Sequence, residues 1–236
     1  MLNEIVDRDK LPKRIAVSTG SEAFTAVLES LLGVWGVELC RRDDPSALLL
    51  AEEGCCELVA SQKAIWLSRS DAAGPDRIRL PVSLEALWQI IEQKFHRPTR
   101  MHLRMALDFS ARVFLRGEWY DTILSSMSDM GARFTTEMET VREEKVILEL
   151  IVNGEVRQHH GEIIFSMALG SLETGAFQSG VVFVGQDKET CNTLRYLLIR
   201  WCLEAVREGM DRQVFQDGLA FLDLAPEVVG ALAAAD

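Results

Sequence analysis

Lys145-Val-Ile-Leu-Glu-Leu-Ile-Val152, then Asn153-Gly154, then Glu155-Val-Arg157, is the stretch on which the fold turns. A run rich in β-branched and apolar residues reads as a strand. Asn-Gly suits the two positive-φ positions of a tight hairpin, and the chain then resumes as a second strand. Similar runs lie on either side. Leu107–Leu115, Asp121–Ser125 and Ala132–Thr135 precede the hairpin; Gly161–Ser166 and Gly180–Val184 follow it. At least six short strands joined by short turns predict an antiparallel barrel or sandwich. Beyond them the period changes. Leu194, Leu197, Leu198, Trp201, Cys202, Ala205 and Val206 recur at helical steps across 188–209. One side of that helix is expected to pack on the barrel. The surplus apolar surface of Tyr196, Ile199 and Leu203 could meet a partner helix, as in a homodimer. Val214–Ala235, interrupted by Pro226, reads as one or two short helices.

The first 95 residues alternate differently. Arg14–Val17 is a short strand, and Ser21 with Glu22 suits the start of a helix. Phe24, Val27, Leu28, Leu31 and Leu32 form its apolar face, and Gly33 and Gly36 end it. Val37–Cys40 is a second strand. Asp44-Pro45 predicts a second helix, with proline in its first turn. Glu57–Ala60, Ala64–Leu67 and Arg77–Leu80 read as further strands. Ser83 caps a helix striped by Leu84, Leu87, Trp88, Ile90 and Ile91. Strands alternating with helices predict a parallel sheet. Pro98 in His96-Arg-Pro-Thr99 then breaks the chain, because the residue before proline avoids the helical region. The expected division is 1–95, 96–186 and 187–236, an α+β two-domain chain with a C-terminal helical segment.

The chain has 236 residues, 48% of them hydrophobic, with 25 Lys+Arg against 36 Asp+Glu and a net charge of −11. That balance argues against broad DNA or RNA binding and against anionic membrane surfaces. With charges throughout residues 1–20 no signal peptide is expected there, and no apolar run is long enough for membrane insertion. Cys40, Cys55, Cys56, Cys191 and Cys202 are odd in number and lack zinc-knuckle spacing, which suggests reduced thiols and a cytoplasmic setting. His159 and His160 are neighbours on a predicted strand and would face opposite ways, so they make no metal pair. No Ser–His–Asp, Cys–His or phosphate-loop pattern appears, and no enzyme or metal cofactor is expected.

One segment opposes the acidic balance. Arg97, Arg100, Arg104, Arg112 and Arg116 stand against Asp108 alone within 97–116. Within it, Arg100-Met-His-Leu-Arg104 sets two arginines four apart, and Ser126-Met-Ser-Asp-Met-Gly131 follows. A guanidinium grips phosphate oxygens through two parallel bonds and stacks on purines. Ser126 and Ser128 supply hydroxyls, and Gly131 permits positive φ and close backbone approach. Taken alone, the arginines could instead pair with Glu118, Glu137 or Glu139.

Together the two motifs resemble the signature of PilZ domains, receptors for cyclic di-GMP: Arg-x-x-x-Arg, then Asp/Asn-x-Ser-x-x-Gly on a barrel. The resemblance covers about residues 96–186 and implies a PilZ-type β-barrel followed by a helix. It also implies cyclic di-GMP as ligand, bound through Arg100, Arg104, Ser126, Ser128 and Gly131. The chain departs from the pattern at Ser126, where the family has Asp or Asn. A hydroxyl there forgoes a charge-assisted contact worth roughly 1–3 kcal/mol. The N-terminal segment resembles a truncated receiver domain, with Leu80-Pro81 in place of its Lys-Pro. Ser18-Thr19 stand where an acidic pair would be, and Ala60-Ser61 where the phospho-accepting aspartate would be. That implies a scaffold without phosphoryl chemistry. Two readings remain: an effector that passes ligand binding to a protein partner by domain reorientation, and a nucleotide-independent adaptor.

Overall fold

The computed structural model describes residues 12–56, 62–70, 74–96, 101–152, 154–169 and 175–234. The chain divides into two compact units. One comprises 1–103 with 199–236, and the other 104–198.

The first unit holds a five-stranded parallel sheet in the order β2-β1-β3-β4-β5. Its strands are β1 (Arg14–Ser18), β2 (Glu38–Leu39), β3 (Leu48–Glu52), β4 (Ala64–Ser68) and β5 (Arg77–Arg79). Helix α1 (Glu22–Val34) follows β1, and α2 (Leu84–Phe95) follows β5. Both start as the sequence predicts: the Ser21 side chain accepts from Phe24 N–H, and Ser83 accepts from Ala86 N–H. The apolar stripes of both helices are buried.

The predicted helix at Asp44-Pro45 does not form. Asp44 instead takes its own turn, accepting from the Ser46 backbone at 2.9 Å and pairing with Arg14 at 2.8 Å. The next residues make β3, whose five residues are all buried between β1 and β4. A central parallel strand covered on both faces shows no alternation, so periodicity alone does not reveal it. The predicted strand at 57–60, and Ala60-Ser61 with it, lie outside the described residues. In the described chain the third strand is β3, and Glu52 and Glu53 stand at its end. Both are engaged. Glu52 accepts from Gly20 N–H at 2.9 Å and pairs with Arg69 at 3.3 Å, and Glu53 pairs with Arg77 at 2.8 Å.

The second unit is a closed antiparallel barrel in the order β10-β11-β8-β7-β6-β9. Its strands are β6 (Arg104–Leu115), β7 (Glu118–Ser128), β8 (Gly131–Thr136), β9 (Lys145–Val152), β10 (Glu155–Ala168) and β11 (Phe177–Phe183). The opening hairpin is β9–β10, in register from Val152↔Glu155 onward, with Gly154 at φ +81°. The runs read separately at 155–157 and 161–166 are one strand. Gly161 lies inside it: a Cβ there would meet the Val181 side chain at 2.3 Å and the Val182 carbonyl at 2.9 Å. Leu124, Met127, Phe134, Leu148, Leu150, Ile163 and Val181 are buried and point into the barrel.

Three helices follow: α3 (Lys188–Glu208), α4 (Arg212–Leu219) and α5 (Pro226–Ala234). The sequence assigns 187–236 to the barrel, whereas in the structure only the start of α3 groups with it; residues 199–236 belong to the first unit. The reason is visible in that unit. Val82 and Leu222 form a parallel bridge, with Val82 N–H donating to Phe221 at 2.7 Å and Asp223 N–H donating to Val82 at 2.9 Å. Phe221 stacks on Phe24 with ring centroids 4.7 Å apart. At Gly218, a Cβ would stand 2.5 Å from the Val27 side chain, so α4 approaches α1 more closely than any larger residue permits.

Candidate functional site

Arg104, Ser126, Ser128 and Gly131 come together on the barrel. Pairing of β6 with β7 sets Arg104 opposite Ser128 and Ala106 opposite Ser126. Pairing of β7 with β8 sets Ser126 opposite Arg133 and Ser128 opposite Gly131. Cross-strand partners share a face. Their neighbours Met127 and Ala132 point inward, so these residues stand on the outer wall. A shift in register between Leu124 and Ser126 turns the strand there. Arg104 Nη1 donates to Ser126 Oγ at 3.2 Å. Arg100 lies outside the described residues.

Ser128 and Gly131 flank a two-residue turn made by Asp129 and Met130. Ser128 is 3% exposed; its hydroxyl accepts from Met130 N–H and donates to the Gly131 carbonyl, both at 3.3 Å. It is therefore spent on the turn. Gly131 differs from expectation. Its φ is not positive, and what it permits is close packing: a Cβ would lie 2.2 Å from the Val181 carbonyl oxygen of β11.

Asp129 lies inside the Ser–Gly motif without being one of the expected ligand residues. Its carboxylate, 2% exposed, accepts from Arg195 of α3 at 2.6 and 3.2 Å. The sequence carries no signal for that pairing, since 66 residues separate the two. Arg133 was also missed. It lies two residues past the motif glycine, and only the register puts it beside Ser126. Its guanidinium carbon sits 5.8 Å from the ring centre of Phe165. Arg104, Ser126 and Arg133 thus form a wall of two cations and a hydroxyl, the chemistry of an anion seat.

Farther along β6, Arg112 pairs with Glu149 at 3.2 Å and lies 5.0 Å from the Trp119 ring centre. Inside the barrel, His159 is 5% exposed and its Nδ1 contacts the Gln186 amide at 2.9 Å. Burial lowers its pKa to about 4, aided by Arg157 and His160, so the ring is neutral near pH 7. Among the described residues, no three His, Cys, Asp or Glu side chains could hold a metal, and no helix is long and apolar enough to cross a membrane.

No protein-family model matches the chain, and no curated protein does. Solved structures do show likeness. The Klebsiella MrkH complex with c-di-GMP is 18% identical at a TM-score of 0.39, with 46% of this chain and 55% of that one covered. The PilZ domain of Escherichia coli YcgR with c-di-GMP is 13% identical at 0.39, with 50% of this chain and 99% of that domain covered. The PilZ domain of CeSA from a cellulose-synthesizing bacterium is 13% identical at 0.32, with 41% and 95% covered. The chain spans about half the length of the MrkH structures it matches. At these values the likeness is one of chain path over part of the molecule: this chain is similar to PilZ domain structures there, and its site rests on its own residues.

Proposed function

We propose that the barrel unit is a receptor for a cyclic dinucleotide, cyclic di-GMP, seated on the outer wall at Arg104, Ser126 and Arg133. The carrying observation is Arg104 bonded to Ser126 at 3.2 Å, with Arg133 directly opposite that serine. Two guanidinium groups and a hydroxyl suit a ligand that carries both phosphates and purine edges. Arg100 would add a third cation from the segment just before β6. Ser128 and Gly131 act by shaping the turn rather than by touching ligand. Ligand capture would bias a population of unit arrangements and so pass the signal to a protein partner, through contacts that differ between the two states. Calorimetric titration of the full chain with cyclic di-GMP tests the reading. Binding that weakens at least ten-fold in Arg104→Ala is expected. No heat at high micromolar ligand sinks it.

A second reading is an adaptor that binds no nucleotide. It is favoured by Ser126, a hydroxyl where the resembling family has a carboxylate or amide, and by its existing bond to Arg104. That reading expects a protein partner whose capture is unchanged by cyclic di-GMP.

A further inference from the structure

One transverse row crosses five strands on the outer wall. Ala106, Ser126, Arg133, Gly180 and Phe165 are successive register partners on β6, β7, β8, β11 and β10. Gly180 has no side chain, and Phe165 takes the space above it: a Cβ on residue 180 would stand 2.1 Å from Phe165 Cε1. Both Phe165 and Arg133 are only partly buried. An aromatic ring seated on bare backbone, with a guanidinium over it 5.8 Å from its centre, is an apolar and cationic patch whose arginine neighbours Ser126.

We infer that Phe165 and Arg133 form the base platform of the dinucleotide site, with Phe165 stacking on a purine and Arg133 addressing the O6 and N7 edge of guanine. This rests on the barrel's reading as a dinucleotide receptor. Every base has a π-face, so the ring contributes affinity without choosing the base. The forked donors of arginine match guanine O6 and N7 and not adenine, whose N6 is itself a donor, so Arg133 contributes the choice. Arg104 and Ser126 then face the phosphates. The Phe165 ring leans back over Gly180 of β11 toward Arg133 of β8, which is the register partner of Ser126 on β7, so the platform adjoins the phosphate wall.

The test titrates the full chain with cyclic di-GMP and with cyclic di-AMP. Phe165→Leu keeps an apolar cover on Gly180 and removes the ring. Arg133→Lys keeps the charge and removes the fork. Melting temperatures identify any variant that fails to fold, for which Phe165→Met and Arg133→Gln substitute. The expected result is wild-type preference for cyclic di-GMP, about ten-fold or greater weakening of both ligands in Phe165→Leu, and loss of the preference in Arg133→Lys. Folded variants that bind as wild type does, while Arg104→Ala weakens binding, overturn the platform and leave the receptor reading standing. A wild type that binds neither dinucleotide overturns both.

Discussion

Arg195 of α3 holds the Asp129 carboxylate through two of its nitrogens, at 2.6 and 3.2 Å, and the carboxylate is almost wholly buried. The pair anchors the β7–β8 turn that carries Ser128 and Gly131. Removing one partner of such a pair leaves the other charge without compensation. Arg195 is about one-third exposed, which softens the effect through solvent screening. Arg195→Met should cost about 2–3 kcal/mol in urea unfolding. Asp129→Asn in the same background should recover part of the loss, because a buried carboxylate that has lost its two Arg195 bonds no longer carries a charge. Equal stability of wild type and Arg195→Met would show the pair to be ornamental.

Gly131 and Gly117 should respond differently to alanine. At Gly131 the added carbon would meet the Val181 carbonyl oxygen at 2.2 Å, so β8 and β11 must separate. About 2 kcal/mol or more of destabilisation is expected, as for overpacking of a tight interior. At Gly117 the space is open, and only its φ of +92° resists a side chain. About 1 kcal/mol is expected there. Chemical denaturation of the two variants checks the order.

His159 predicts a pH dependence. Its folded pKa of about 4 lies below the ordinary value of 6.5, because burial disfavours the imidazolium. Between those two values the unfolded chain binds the proton and the folded chain does not. Stability from this group is therefore full above about pH 6.5 and lost as pH falls toward 4, by about 3 kcal/mol in all. Thermal melts of wild type and His159→Leu from pH 7 to 4.5 should show a shallower decline in the variant. Parallel curves would remove His159 from the acid response.

Ser126→Asp restores the carboxylate of the resembling family pattern. On the receptor reading, cyclic di-GMP binding should tighten by about ten-fold, from one added charge-assisted bond. Calorimetry reads it directly. Weaker binding would mean that the new carboxylate captures Arg104 and withholds it from the ligand.

Much of the architecture is legible in local pattern. The β9–β10 hairpin, the caps at Ser21 and Ser83 and the apolar stripes of α1 and α2 all depend on residues a few positions apart. The misreadings share a cause. Leu48–Glu52 lacks alternation because neighbours cover both its faces. Asp44-Pro45 looks like a helix start, yet Ser46 and Arg14 satisfy that aspartate in a turn. The runs at 155–157 and 161–166 read as two, yet Gly161 sits inside one strand where β11 crowds it.

The candidate site divides the same way. The sequence by itself determined that an arginine pair precedes a serine–glycine turn within an all-β stretch, since spacing along the chain is enough to read it. Tertiary structure alone decided that Arg133 stands beside Ser126, that Phe165 covers Gly180, and that Asp129 belongs to Arg195 and not to the ligand wall. It also returned residues 199–236 to the first unit. Strand register and helix docking are set by long-range burial: a one-residue slip would turn Arg133 inward and Phe134 outward, and no short window of sequence records which is preferred.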